Sequence, residues 1–131
     1  MKYLFLFAII LNVTTVLAHG EDKAGPHGGF VRMPGAYHTE VVPAGKAQAK
    51  VYLLDMQWKN PTTKKSSVEA ALKQEAAATS PLSCRAQGDF FMCNFPEGTD
   101  LTAKGTLVIT STRAEQKGNQ AVYDLPMKLQ H

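Results

Sequence analysis

Cysteine is scarce in this chain of 131 residues: Cys84 and Cys93 are the only two. Long apolar runs are missing after residue 11, so no second membrane segment is expected. A basic stripe is also missing. Apart from Lys64-Lys65 the basic residues are scattered singly, and the net charge of +3 falls by one once Lys2 is removed. That balance argues against a phosphate backbone as partner. Catalytic signatures are absent too. No glycine-flanked serine elbow, phosphate-cradling loop or paired-carboxylate motif occurs, and the expectation is a protein that is not an enzyme.

The amino end carries an export address. Lys2, the apolar run Tyr3 to Leu11 and the small and β-branched residues up to Ala18 have the three regions of a signal peptide. Val16 and Ala18 occupy the positions three and one before the cut, where small side chains are needed. The apolar stretch is interrupted by Asn12, Thr14 and Thr15 and is too short for a hydrocarbon core of about 30 Å. Cleavage after Ala18 is expected to release a periplasmic or secreted protein beginning at His19, with no membrane contact thereafter. In an oxidising compartment the default for Cys84 and Cys93 is a disulfide, ahead of a metal thiolate.

The remainder reads as strands. Residues 19–36 are polar and rich in glycine and proline, and are expected to form an extended tail. Residues 37–131 are expected to form one all-β domain, an immunoglobulin-like β-sandwich of about seven strands. Tyr37 to Val42 and Ala47 to Met56 alternate around a Pro43-Ala44-Gly45-Lys46 connection. Val68 to Ala78 has helical propensity, yet Val68, Ala70 and Leu72 alternate, which favours a strand ending near Lys73 with room for a helical turn after it. Leu82 to Ala86 and Phe90 to Phe95 flank Gln87-Gly88-Asp89, so that Cys84 and Cys93 face each other across a hairpin. Thr106 to Thr112 and Ala121 to Leu129 close the series around Lys117-Gly118-Asn119.

Histidine placement points to metal. His19, His27 and His38, three of four histidines, cluster near the processed end with Glu21, Asp22 and Glu40. Imidazole nitrogen and carboxylate oxygen suit Cu(II), Zn or Ni, so copper or zinc is the expected cofactor. As the first residue after cleavage, His19 offers an amine and a ring nitrogen to one ion, and His27 or His38 would complete a three-nitrogen site. His27 stands between glycines in Gly25-Pro26-His27-Gly28-Gly29. His38 and Glu40, two apart on a strand, project from one face as a candidate bidentate pair. Met33 is a candidate soft ligand for Cu(I). Met56, Met92 and Met127 are expected to pack in the core, and His131 to be a solvated terminus.

Gly25-Pro26-His27-Gly28-Gly29, Tyr37-His38-Thr39-Glu40-Val41-Val42 and Val51-Tyr52-Leu53-Leu54-Asp55, in this order, resemble a small module of the bacterial envelope. It is similar to the accessory domain of periplasmic adaptor subunits in heavy-metal efflux pumps of the resistance-nodulation-division type, and to short stand-alone exported proteins. The resemblance implies a β-sandwich in the envelope, an association with export or tolerance of copper, zinc, cobalt or nickel, an efflux complex as partner, and His27, His38 and Glu40 as metal residues. The chain departs from the adaptors in lacking their membrane-proximal, lipoyl-like and coiled-coil regions, and the cysteine pair is not part of their pattern. The alternative expectation is a non-metal module that docks onto an envelope complex. A terminal-histidine copper enzyme ranks behind both.

Overall fold

A computed structural model describes residues 23–75 and 77–129. The signal region, His19 and His131 lie outside them. The described residues are all-β: two antiparallel sheets form a sandwich. Among the described residues no helix is long and apolar enough to cross a membrane.

The first sheet has the order β1 (Phe30–Arg32), β2 (His38–Pro43), β3 (Gln48–Leu54), β8 (Phe90–Asn94) and β7 (Arg85–Gln87). In the second, β9 (Gly105–Arg113) pairs with β4 (Ser67–Gln74) on one side and with β10 (Gln116–Lys117) and β11 (Ala121–Leu125) on the other. The short β5 (Ala77–Ala78) and β6 (Leu82–Ser83) line the outer flank of β4. Alternation decides what is buried. Val41, Ala49, Val51, Leu53, Phe91 and Cys93 from the first sheet meet Val68, Ala70, Leu72, Leu107, Ile109, Ala121 and Tyr123 from the second.

Two tyrosines tie the sheets together. Tyr37 donates its hydroxyl to the Ser111 carbonyl at 2.9 Å and meets Ser111 Oγ at 2.7 Å. The Tyr123 hydroxyl lies 2.7 Å from Thr39 Oγ1. Arg32 closes one edge, donating from Nε to the Val122 carbonyl at 3.0 Å, with its guanidinium 4.4 Å above the Tyr123 ring. Cys84 and Cys93 form a disulfide, as expected. The pairing Arg85↔Met92 extends by one step to these cysteines, whose Cα atoms are 4.4 Å apart, the spacing of a non-hydrogen-bonded antiparallel pair.

Several boundaries differ from the sequence reading. Residues 30–32, expected in the tail, form β1, because Val31 and Arg32 pair with Glu40 and Thr39 and are buried. The alanine-rich segment after β4 makes no helical turn at Ala77–Ala78; these residues pair back on Gln74 and Lys73. The last hairpin reverses at Ala114-Glu115, both at positive φ. Gly118 to Gln120 instead interrupt the returning strand: partners of β9 shift from Lys117↔Thr112 to Ala121↔Ile109, one residue more than continuous pairing allows. β11 stops at Leu125, before Pro126.

Candidate metal centre on the outer face of the first sheet

The face of β2 turned away from the core carries His38 and Glu40, opposite Leu54 and Tyr52 of β3. Glu40 is fully buried there. A carboxylate without water needs compensating donors, and the Gly25–Gly29 loop supplies them. Backbone N–H groups of His27 and Gly29 each donate to Oε2 at 2.9 Å, and His27 Nδ1 lies 2.7 Å from Oε1. The loop closes on itself through Gly28 N–H to the Gly25 carbonyl and Gly25 N–H to the Gly29 carbonyl, each 2.9 Å.

The glycines are there for close approach. A Cβ on Gly25 would overlap the Glu40 carboxylate, and one on Gly29 would come 2.5 Å from the Val41 carbonyl oxygen. Gly28 differs: nothing surrounds its Cβ position, but its φ of 77° belongs to the left-handed region.

This setting fixes the His27 ring. Its plane stacks on Tyr52 at 3.6 Å between centroids and 5° between planes. An ionised carboxylate oxygen only accepts, so the ring donates its Nδ1 proton to Oε1, and in the neutral ring Nε2 is the nitrogen with the lone pair. The side chain is 32 % exposed. Burial, together with the charges of Asp89 and Glu40, raises the Tyr52 pKa above its ordinary value, so the ring beneath His27 is a neutral phenol at physiological pH.

His38 is held differently. Its Nδ1 is 3.2 Å from the Asp55 carbonyl oxygen, which can only accept, so here too Nδ1 carries the proton. The Trp58 ring meets it edge-on at 5.7 Å. Among the described residues every buried side-chain nitrogen and oxygen has a partner. His38 is buried at 5 % exposure, and the bond to Asp55 is the one hydrogen bond of its ring among the described residues.

The structure thus brings together His27 and Glu40, rather than the expected pair His38 and Glu40. Both Glu40 oxygens are occupied by donors from the loop, so this carboxylate orients an imidazole instead of offering itself to an ion. Among the described residues no group of three or more histidine, cysteine, aspartate or glutamate side chains converges on a common point. His19 lies outside the described residues. Met56, expected in the core, is 47 % exposed, because Leu54 ends β3 and Asp55 turns the chain outward; Met92 is half-buried, and Met127 packs against the core. The supporting roles of Tyr52 and Trp58 were not legible in the sequence; the only hint was Tyr52 standing on the Glu40 face of its strand. No family model matches the chain, and no curated protein or solved structure matches it either.

Proposed function

We propose that the protein is a metal-handling module of the bacterial envelope, exported to the periplasm, that takes a copper- or zinc-like divalent ion through His27. One observation carries this reading: a partly exposed imidazole whose Nδ1 is held by a fully buried carboxylate. Metal-ligating histidines are commonly oriented this way, since the partner fixes the tautomer and raises the basicity of the other nitrogen. Glu40 is the orienting group. His27 Nε2 is the ligand, and the amine and ring of His19, eight residues upstream, are within chain reach at up to about 28 Å of extended backbone. An association with a heavy-metal efflux complex follows from the resemblance above and is part of the proposal.

Isothermal titration of the mature protein, purified without chelator, with Cu(II) and Zn(II) tests it. His27→Ala is expected to weaken the tighter of the two ions about tenfold or more, and Glu40→Gln to weaken it in the same direction. Equal binding by all three proteins would end the metal reading. A second reading, a docking module, rests on β7, whose three residues are all exposed at the edge of the first sheet. Co-purification of an envelope protein that survives both chelator and His27→Ala would select it.

A further inference from the structure

The two faces of the sandwich turned away from the core are finished differently. On the first sheet the Gly25–Gly29 loop and the His27 ring lie over Glu40 and Tyr52, which are buried beneath them. On the second, Ala70, Leu72, Leu107, Ile109, Ala121 and Tyr123 belong to the core, so the residues between them, Ala71, Val108 and Val122, point outward. All three are part-exposed. They form one apolar row, since Ala71 and Val122 both pair with Val108.

The other outward positions of β9 are Thr106, Thr110 and Thr112. The central strand of this face therefore carries nothing longer than valine. Solvated sheet faces ordinarily alternate in longer polar side chains, and here those stand only on the flanking strands. Lys73 of β4 and Asp124 of β11 flank Thr106; Glu69 of β4 flanks Thr110, and Lys117 of β10 flanks Thr112. Two bases and two acids thus mark the corners of a smooth centre. A second sheet can approach such a centre to the usual stacking distance of about 10 Å, while twist opens the corners, where the long side chains have room to reach across.

The pattern is also self-complementary. A two-fold axis laid along β9 sets β4 of one copy over β10 and β11 of the other, level for level. Val108 then meets its own copy on the axis, and Ala71 meets Val122. Lys73 meets Asp124 at both ends of one row. Glu69 comes over the interruption at Gly118 to Gln120, a depression of about 260 Å3 whose walls include Thr110, Gly118 and the oppositely charged Lys117. An axis through the same centre but across the strands would set Lys73 over Ser67 and Glu69 over Ala71, leaving both charges unanswered.

We infer that this face docks a second copy of the chain, in a weak two-fold dimer whose second sheets stack. Three strands by four outward residues span roughly 15 Å by 25 Å, about half of a standard interface on each side, so a dissociation constant on the order of 0.1 mM is expected. The corner charges set the orientation more than the affinity. No residue of the His27 centre takes part, and the dimer stands or falls separately from metal binding.

Sedimentation equilibrium of the mature protein in chelator, from about 10 µM to about 1 mM, is expected to show monomer and dimer exchanging by mass action. Val108→Glu sets two carboxylates together on the axis and is expected to weaken association about tenfold or more. Lys73→Glu and Asp124→Lys are each expected to weaken it about threefold or more, and to restore it when combined in one chain. That restoration is the decisive reading, because a change confined to the folding of one copy would not return the dimer. A monomer throughout the range overturns the proposal. So does a dimer that a folded Val108→Glu protein retains, or one in which the two charge reversals fail to compensate, since association would then run through another surface.

Discussion

Glu40 is a charged side chain that the fold has no apolar reason to bury, and it survives inside because the preceding Gly25–Gly29 loop delivers three donors to it. Replacing it by alanine leaves those donors without an acceptor; a loss of about 3 kcal/mol is expected, read as a lower urea midpoint at unchanged slope. The glycines of the loop separate by mechanism. Gly25→Ala drives a methyl into the Glu40 carboxylate and is expected to cost about 1–3 kcal/mol. Gly28→Ala meets no neighbour and is expected to cost only the left-handed backbone term, about 1 kcal/mol. Equal losses at both positions would contradict the carboxylate cradle. Tyr123 gives a pH prediction of opposite sign to acid unfolding. Burial, outweighing its bond to Thr39, raises its pKa in the folded state, so the folded protein holds that proton more tightly than the unfolded chain. The contribution is complete below about pH 10 and declines above it, by about 1.4 kcal/mol per pH unit for this residue. Tyr37, raised by burial against a lowering bond to Ser111, adds in the same direction. Denaturant titrations between pH 9 and 11 on the protein and on Tyr123→Phe are expected to show a shallower decline in the variant.

Among the elements, the β7–β8 hairpin was legible in its turn and its cysteines but not in its length: Leu82–Ser83, expected on the same strand as Ala86, pair with β4 of the other sheet. Its Gly88 turn and its facing cysteines follow from period-two spacing about one reversal, and the structure has that register. Cys84→Ser with Cys93→Ser is expected to lower stability by about 2–3 kcal/mol, by releasing a loop of about ten residues in the unfolded chain. Thermal melts under oxidising and reducing conditions would check this, the double variant matching the reduced parent. The strand β4 was legible for the same reason: Val68, Ala70 and Leu72 alternate, and their burial overrides helix propensity in the alanines that follow. β1 was not legible. Phe30-Val31-Arg32 is too short for periodicity, and only its pairing with β2 makes it a strand. The reversal at Ala114-Glu115 was hidden as well, since neither residue carries the usual turn chemistry for positive φ.

For the molecule as a whole, the edge between β1 and β11 is where the two sheets are latched. Arg32 reaches from one sheet to the Val122 carbonyl and over the Tyr123 ring of the other, and the Asn119 N–H donates to the Pro34 carbonyl at 2.8 Å. Arg32→Met keeps much of the stem and removes the polar latch. It is expected to cost about 2–3 kcal/mol and to speed hydrogen exchange first in β1 and β11, leaving β4 and β9 at their former protection. Uniform acceleration across both sheets would show that the edge is no weaker than the centre.

The sequence by itself determined the all-β class, the principal strands, the disulfide and the choice of His27, His38 and Glu40 as residues worth watching, because alternation, turn residues and donor chemistry are local properties. Only the tertiary structure decided which of those residues meet. His38 and Glu40 are neighbours on one strand, yet Glu40 is spent on a loop thirteen residues back, and His38 on the Asp55 carbonyl. The reason is burial: a carboxylate sealed under a loop must take whatever donors that loop brings, and no pattern along the chain states which loop will cover it.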